Sequence, residues 1–178
     1  MHNKLPNIFT FISEFKKENI SKLDKNIGII FRNYDRSIQK EKLLDLKNFC
    51  KTEKRKLFLA NNFKTAVNLD LDGVYLPSFY KGLSHKKYKI KKKFIILGSA
   101  HNFEEIALKK KQGVKTIFLS PLFKTKNYKR NLGIIKFNIL SQFAKNKIIA
   151  LGGINKNNIK KLKMIKAYGF SAISYFNE

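Results

Sequence analysis

Short apolar runs recur along the chain at fairly even intervals, and most stretches between them carry apolar residues at helical spacing. A run of four or five apolar residues bounded by turn signals reads as a buried strand. Alternation of such runs with amphipathic helical segments calls for crossover connections, hence a parallel sheet covered by helices. Strands are expected at residues 8–12, 27–31, 56–60, 73–76, 94–98, 116–119, 147–151 and 172–175. Residues 37–52 place Ile38, Leu43, Leu44, Leu46 and Phe49 on a helical stripe, with Ser37 as the cap. Residues 102–111 open with an Asn cap and carry Glu104 and Glu105 in the first turn, where carboxylates complement the positive end of the helix dipole. A third helix is expected over 155–166, with Ile159, Leu162 and Ile165 on one face. Eight strands with intervening helices predict a compact, trimmed (β/α)8 TIM barrel, with an open doubly wound sheet as the alternative. Such barrels typically need about 250 residues, so 178 leave some elements cut short. Residues 16–26 allow a short first helix and 62–69 two turns, and no room for a last helix remains after Tyr175. No repeat, linker or low-complexity boundary divides the chain, so residues 1–178 read as one domain.

A net charge of +26 points to phosphate-rich partners. Arginine occurs only at Arg32, Arg36, Arg55 and Arg130, and the rest of the basic residues are lysine, whereas bidentate reading of phosphates and bases favours arginine. Nucleic acid is therefore the less favoured partner. No Asp or Glu lies between Ile106 and Asn177, which leaves that half uniformly electropositive. The run HKKYKIKKK offers Tyr88 alone for base stacking and reads as a solvated loop or helix end. No apolar run approaches the roughly 18 residues of a membrane span, and MHNKLPNIFTFISEF turns polar before a signal-peptide core forms, so a cytoplasmic location is expected. Cys50, the single cysteine, reads as a buried apolar residue at a helix end.

In a barrel of this type, chemistry sits just beyond the strand C-termini. The residues there include Arg32, Asn61, Asn62, Tyr75, Pro77, Ser99, His101, the segment 120–128, Gly152, Gly153, Phe176 and Asn177. In IIALGGINKNNI, two glycines follow an apolar strand and precede an Asn-rich cap, a pattern that offers backbone N–H groups to a phosphate and equally fits a tight left-handed turn. Asp70 and Asp72 are neighbours, but a structural role is expected for Asp72. His2 and His85 read as surface residues.

Three strings, DGVYLP at 72–77, LGSAHNFEEIALKKKQGVKTIFLSPLFKT at 97–125 and IIALGGINKNNI at 148–159, together resemble the thiamine-phosphate synthase/TenI (thiazole tautomerase) family in order and spacing. The wording is nearest to a divergent branch that reads SPVFPT and DGxHLP. The resemblance implies a (β/α)8 barrel in thiamine biosynthesis that binds a phosphorylated thiazole and, for the synthase, a hydroxymethylpyrimidine pyrophosphate with Mg²⁺. Gly152 and Gly153 match its phosphate loop, Thr125 the threonine of the sixth loop, Ser99 a pyrophosphate-contacting hydroxyl and Arg32 the arginine after the second strand. Lys126 would add anion support, and Asn61 and Asn177 complete the expected binding set. His101 falls where the tautomerase has its histidine, and imidazole suits proton shuttling near neutral pH; a plainer role for His101 is to help cap the following helix.

The sequence also departs from the synthase. Ala60, Asn61 and Asn62 stand where it has Asn-Asp-Arg, and Tyr80 stands at its second metal aspartate. Ile30 and Tyr34 replace the glutamine and lysine that flank its arginine, and Tyr128 replaces its sixth-loop lysine. Mg²⁺ prefers carboxylate and water oxygens, so Asn61 and Tyr80 supply no compensating charge. Lys124, Lys126, Lys129 and Arg130 offer another way to neutralise a diphosphate. The expected activity is condensation to thiamine phosphate; the alternatives are tautomerisation through His101 and non-catalytic binding of a phosphorylated ligand or RNA. The chain is expected to act alone or as a homo-oligomer.

Overall fold

The computed structural model describes residues 5–34, 40–125 and 130–177. Eight parallel strands close on themselves in chain order: β1 (Ile8–Ile12), β2 (Gly28–Phe31), β3 (Leu57–Ala60), β4 (Gly73–Leu76), β5 (Ile95–Ala100), β6 (Thr116–Leu119), β7 (Lys147–Leu151) and β8 (Gly169–Ser171). The ring closes where β8 pairs with β1, Phe9 opposite Ser171. Helices α1 (Lys17–Ser21), α2 (Lys40–Thr52), α3 (Phe63–Asn68), α4 (Phe103–Lys111), α5 (Gly133–Ala144) and α6 (Ser174–Asn177) lie on the outside. The expected barrel is thus observed, and the open sheet is excluded. No described helix is long and apolar enough to cross a membrane.

The strands GIIF, LFLA, GVYL and TIFL are buried at every position, because one face looks into the barrel and the other under a helix. The barrel interior is an aromatic plug. Phe9 meets Phe118 edge-on at 5.1 Å between ring centroids, and Phe11 and Tyr75 meet likewise at 5.1 Å. Each such ring contributes roughly 1.5–3 kcal/mol by leaving water, with about 0.5–1.5 kcal/mol more for the edge-to-face geometry. Outside the sheet, Leu43, Leu46 and Cys50 form the buried stripe of α2. Cys50 thus sits buried in the last turn of its helix, where burial pushes its thiol up to about 12 despite the nearby Arg55 charge.

Several local expectations are corrected. The eighth strand lies at Gly169–Ser171 rather than 172–175, and the chain then makes one further helical turn, α6, so the last helix is present in miniature. The segment 155–166 is not an α-helix but a 3-10 helix confined to Ile159–Met164. Asparagine side chains cap the turn that leads into it. Asn155 Oδ1 accepts from the backbone N–H of Asn157 and Asn158, and Asn158 Oδ1 accepts from that of Asn155. His85 is buried, not on the surface: its Nε2 lies 2.8 Å from the Gln112 carbonyl and its ring packs on Phe63. Ser99 falls inside β5 rather than after it. The lysines of the 86–93 run are exposed, as expected for a solvated segment. His2 and the Ser37 cap lie outside the described residues.

Candidate functional site

The C-terminal ends of β6 and β7 are locked together. The chain leaves β6 through Ser120–Pro121 and doubles back, so that Leu122 N–H donates to the Leu151 carbonyl (2.8 Å) and Phe123 N–H to that of Gly152 (3.0 Å). Gly152 and Gly153 have φ of +95° and +72°, a left-handed region costly for other residues. Neither could carry a side chain for a second reason. A Cβ on Gly152 would lie 2.7 Å from the Pro121 side chain, and one on Gly153 2.6 Å from the Lys124 carbonyl oxygen. Thr125, the next residue, is half-buried, so the fold brings Thr125 and the two glycines to one side of the mouth, with Lys124 and Arg130 exposed beside them. Lys126 and Lys129 lie outside the described residues, as does Tyr128.

Across the mouth, Arg32 follows β2 and holds its guanidinium carbon 4.9 Å from the centre of the Phe11 ring. An exposed cation is thereby seated on the aromatic plug rather than left to swing in solvent. Ser99, paired in register with Phe118, is buried on β5. Asn61 adopts a left-handed conformation (φ +58°), its N–H bonded to the Tyr75 carbonyl at 2.9 Å. It opens onto a cavity of about 840 Å³ between the β2 and β3 loops, shared with Asn33, Tyr34 and Phe79. Burial there pushes the Tyr34 phenol up to about 12, against the opposing pull of Arg32. Asn62 is spent locally, accepting from Thr65 N–H as the cap of α3. Asn177 closes α6, and its side chain lies outside the described residues.

His101 comes directly after β5. It is not the cap of α4: Asn102 is, through its Oδ1 and the Glu105 N–H at 2.8 Å. Glu105 reaches back to accept from both the His101 backbone N–H (2.9 Å) and Nδ1 (2.8 Å). A carboxylate at Nδ1 fixes the ring's proton there and makes Nε2 the basic nitrogen. Burial raises the Glu105 carboxyl, but the two hydrogen bonds from His101, with the His101 and Lys81 charges, outweigh it and hold the group below its ordinary value. Sequence reading took Glu105 only as a dipole partner, although an acid three residues after an Asn cap is itself the signature of such a reach-back.

The family model for thiamine monophosphate synthase, TMP-TENI, matches residues 25–176. The chain belongs to this family. It is 32% identical over 136 residues to a protein of Aquifex aeolicus provisionally named thiamine-phosphate synthase 2, covering 75% of this chain and 73% of the relative. It is also 32% identical over 123 residues to the thiamine-phosphate synthase of Prochlorococcus marinus, covering 68% of this chain but 36% of that longer protein. In fold it resembles the thiamine phosphate pyrophosphorylase of Pyrococcus furiosus, with a TM-score of 0.78 at 20% identity over 96% of this chain and 87% of that one. A role in thiamine biosynthesis follows from membership.

The β3–β4 side is held by polar contacts. Tyr80, which the resemblance sets at a metal position, places its hydroxyl 3.4 Å from His85 Nδ1 and 3.3 Å from Ser84 Oγ, while its carbonyl accepts from Lys109 Nζ and Gln112 Nε2. Lys109, fully buried in α4, also donates to the Pro77 carbonyl (2.7 Å) and Gln112 Oε1 (2.9 Å). Burial pulls its ammonium down to about 8, and the Lys81 charge adds to that. Residue 80 thus belongs to a polar clasp that pins the β4 loop to α4. Neither a neutral Asn61 amide nor a Tyr80 hydroxyl engaged in that clasp fits Mg²⁺, and among the described residues no three His, Cys, Asp or Glu side chains converge. Asp72 sits at the opposite end of the barrel, accepting from Lys56 Nζ (2.6 Å) and Leu57 N–H (3.0 Å), which is the structural role expected of it. The clasp joins two segments about 30 residues apart, 77–85 and 109–112, and nothing in either marks the other as its partner.

Proposed function

We propose that the chain binds a phosphorylated thiazole at the barrel mouth and condenses it with hydroxymethylpyrimidine pyrophosphate to thiamine phosphate. The observation that carries this reading is the interlock of the β6 and β7 loops, which keeps both positions of the family's phosphate loop as glycine where a Cβ would strike the neighbouring backbone or proline. In this reading the Gly152–Gly153 turn holds the thiazole phosphate through backbone N–H groups, with support assigned to Thr125 and Lys126. Arg32, Ser99 and the Asn61 amide are assigned to the diphosphate, and Asn177 completes the proposed binding set. Arg32 and Lys124 neutralise the charge that develops as the pyrophosphate departs. No step is assigned to a metal ion, because the donor set does not fit one. The nucleic-acid partner is set aside in favour of a small phosphorylated heterocycle.

The His101–Glu105 pair favours a second reading, thiazole tautomerisation, in which His101 moves a proton at the thiazole ring while Glu105 fixes its tautomer. Two assays separate the readings. Product formation from thiazole phosphate and pyrimidine pyrophosphate, with and without Mg²⁺, is expected for the native protein and should survive His101→Ala within about tenfold. Loss of condensation by the native protein with thiazole phosphate still bound would select tautomerisation, which His101→Ala should then abolish. Failure to bind thiazole phosphate at all overturns both.

A further inference from the structure

Three long helices cover the barrel, and they differ sharply in charge. Six of the 13 residues of α2 and five of the nine of α4 are charged, in keeping with a chain of net charge +26. In α5 only Lys136 is charged among 12 residues. The outward face of α5 is instead apolar. Ile135, Ile139 and Phe143, each four residues apart and so stacked along one stripe, are 79%, 51% and 46% exposed. The stripe widens on both sides. Phe103 of α4, 42% exposed, meets Phe143 edge-on at 4.9 Å, and Met164, 62% exposed, is held alongside by the Asn138 side chain bonded to its carbonyl.

We propose that this face is the core of an interface with a second copy of the chain, two α5 helices packing antiparallel about a two-fold axis at Ile139. Two chains of charge +26 can meet only where like charge is absent, and α5 is the long helix from which it has been removed. Depletion of charge with retention of aromatic and aliphatic side chains is the composition of an interface core. A two-fold contact requires a self-complementary patch, and an apolar stripe centred on Ile139, with Ile135 and Phe143 equidistant from it, meets that condition. Lys110, Lys136 and Gln142 are exposed at the margin of this face and offer aliphatic stems to it. Lys110, whose Nζ lies 4.9 Å from the centre of the Phe143 ring, supplies the charged rim.

Sedimentation equilibrium of the full chain tests this. A dimer is expected, and added salt should tighten it by screening the repulsion between the copies. Ile139→Lys should weaken association at least about 100-fold while the far-ultraviolet circular dichroism shows the chain still folded, because residue 139 is half-exposed in the monomer. Ile139→Cys should give a disulfide-linked dimer on mild oxidation. The single native thiol, Cys50, is buried and does not compete. A monomer at all concentrations in high salt overturns the proposal. So does a dimer that persists in Ile139→Lys and fails to cross-link through residue 139. Association that salt weakens points to an acidic partner surface and overturns it as well.

Discussion

The two halves of the barrel mouth have been treated differently. On the β6–β7 side, backbone meets backbone: the glycines are held by geometry, and no substitution fits without moving a neighbour. On the β3–β4 side, Asn61 opens on a cavity and Tyr80 belongs to the Lys109–Gln112–His85 clasp. One half is fixed by backbone contacts and the other by single side chains, so substitution should be tolerated less readily on the β6–β7 side than on the β3–β4 side.

The sharpest way to break this contrast is Gly153→Ala. The new Cβ meets the Lys124 carbonyl and strains a left-handed φ, so stability should fall by about 2–4 kcal/mol and thiazole phosphate affinity by at least about 100-fold, read by thermal melting and calorimetry. Tight binding by the variant would show that the glycines serve folding alone. On the other side, Lys109→Met leaves the Pro77 carbonyl without its buried donor, removes one of the two donors to the Tyr80 carbonyl and should cost about 1–3 kcal/mol. The sign of its pH dependence is fixed. The folded lysine titrates near 8 and the unfolded one near 10.5, so the unfolded chain binds more protons between those values. Stability should rise with pH across that window, by on the order of 2–3 kcal/mol, and the difference between native and Lys109→Met chains isolates the rise in urea titrations at pH 8 and 10.

Two milder variants sharpen the comparison. Arg32→Ala removes an exposed cation from the Phe11 ring, so inhibition by pyrophosphate should weaken about tenfold while stability changes by no more than about 0.5–1 kcal/mol. Asn61→Asp restores one carboxylate but leaves Tyr80 in its clasp. Turnover should respond to Mg²⁺ no differently from the native protein, within about twofold. A strong Mg²⁺ response would mean that the β3–β4 half keeps a metal site in reserve.

The barrel was legible because strands buried on both faces write themselves as apolar runs, and because α4 announces its start with Asn102 and Glu105. Elsewhere the signal was weak for physical reasons. At β8 the strand is Gly169–Phe170–Ser171, and Gly169 passes so close to the Asn7 backbone that no side chain fits. The strand therefore carries little apolar weight, and the richer 172–175 stretch drew the assignment past it. His85 sits amid lysines and looks solvated; its burial depends on Gln112 and Phe63, each more than 20 residues away. Of the site, the residues after β2, β5 and β7 could be named from position, and Glu105 three residues after the Asn102 cap carries a signal for its reach-back, but the Lys109 bonds to the Pro77 and Tyr80 carbonyls are long-range geometry that periodicity does not encode.

The aromatic plug has an optical consequence. The chain has seven tyrosines and no tryptophan, so its ultraviolet emission is tyrosine emission. Tyr75 is buried between Phe11 and Phe118, and Phe11 in turn carries the Arg32 guanidinium at the mouth. One chromophore is thus built into the floor beneath the ligand, and near-ultraviolet circular dichroism should follow occupancy of the mouth without a label.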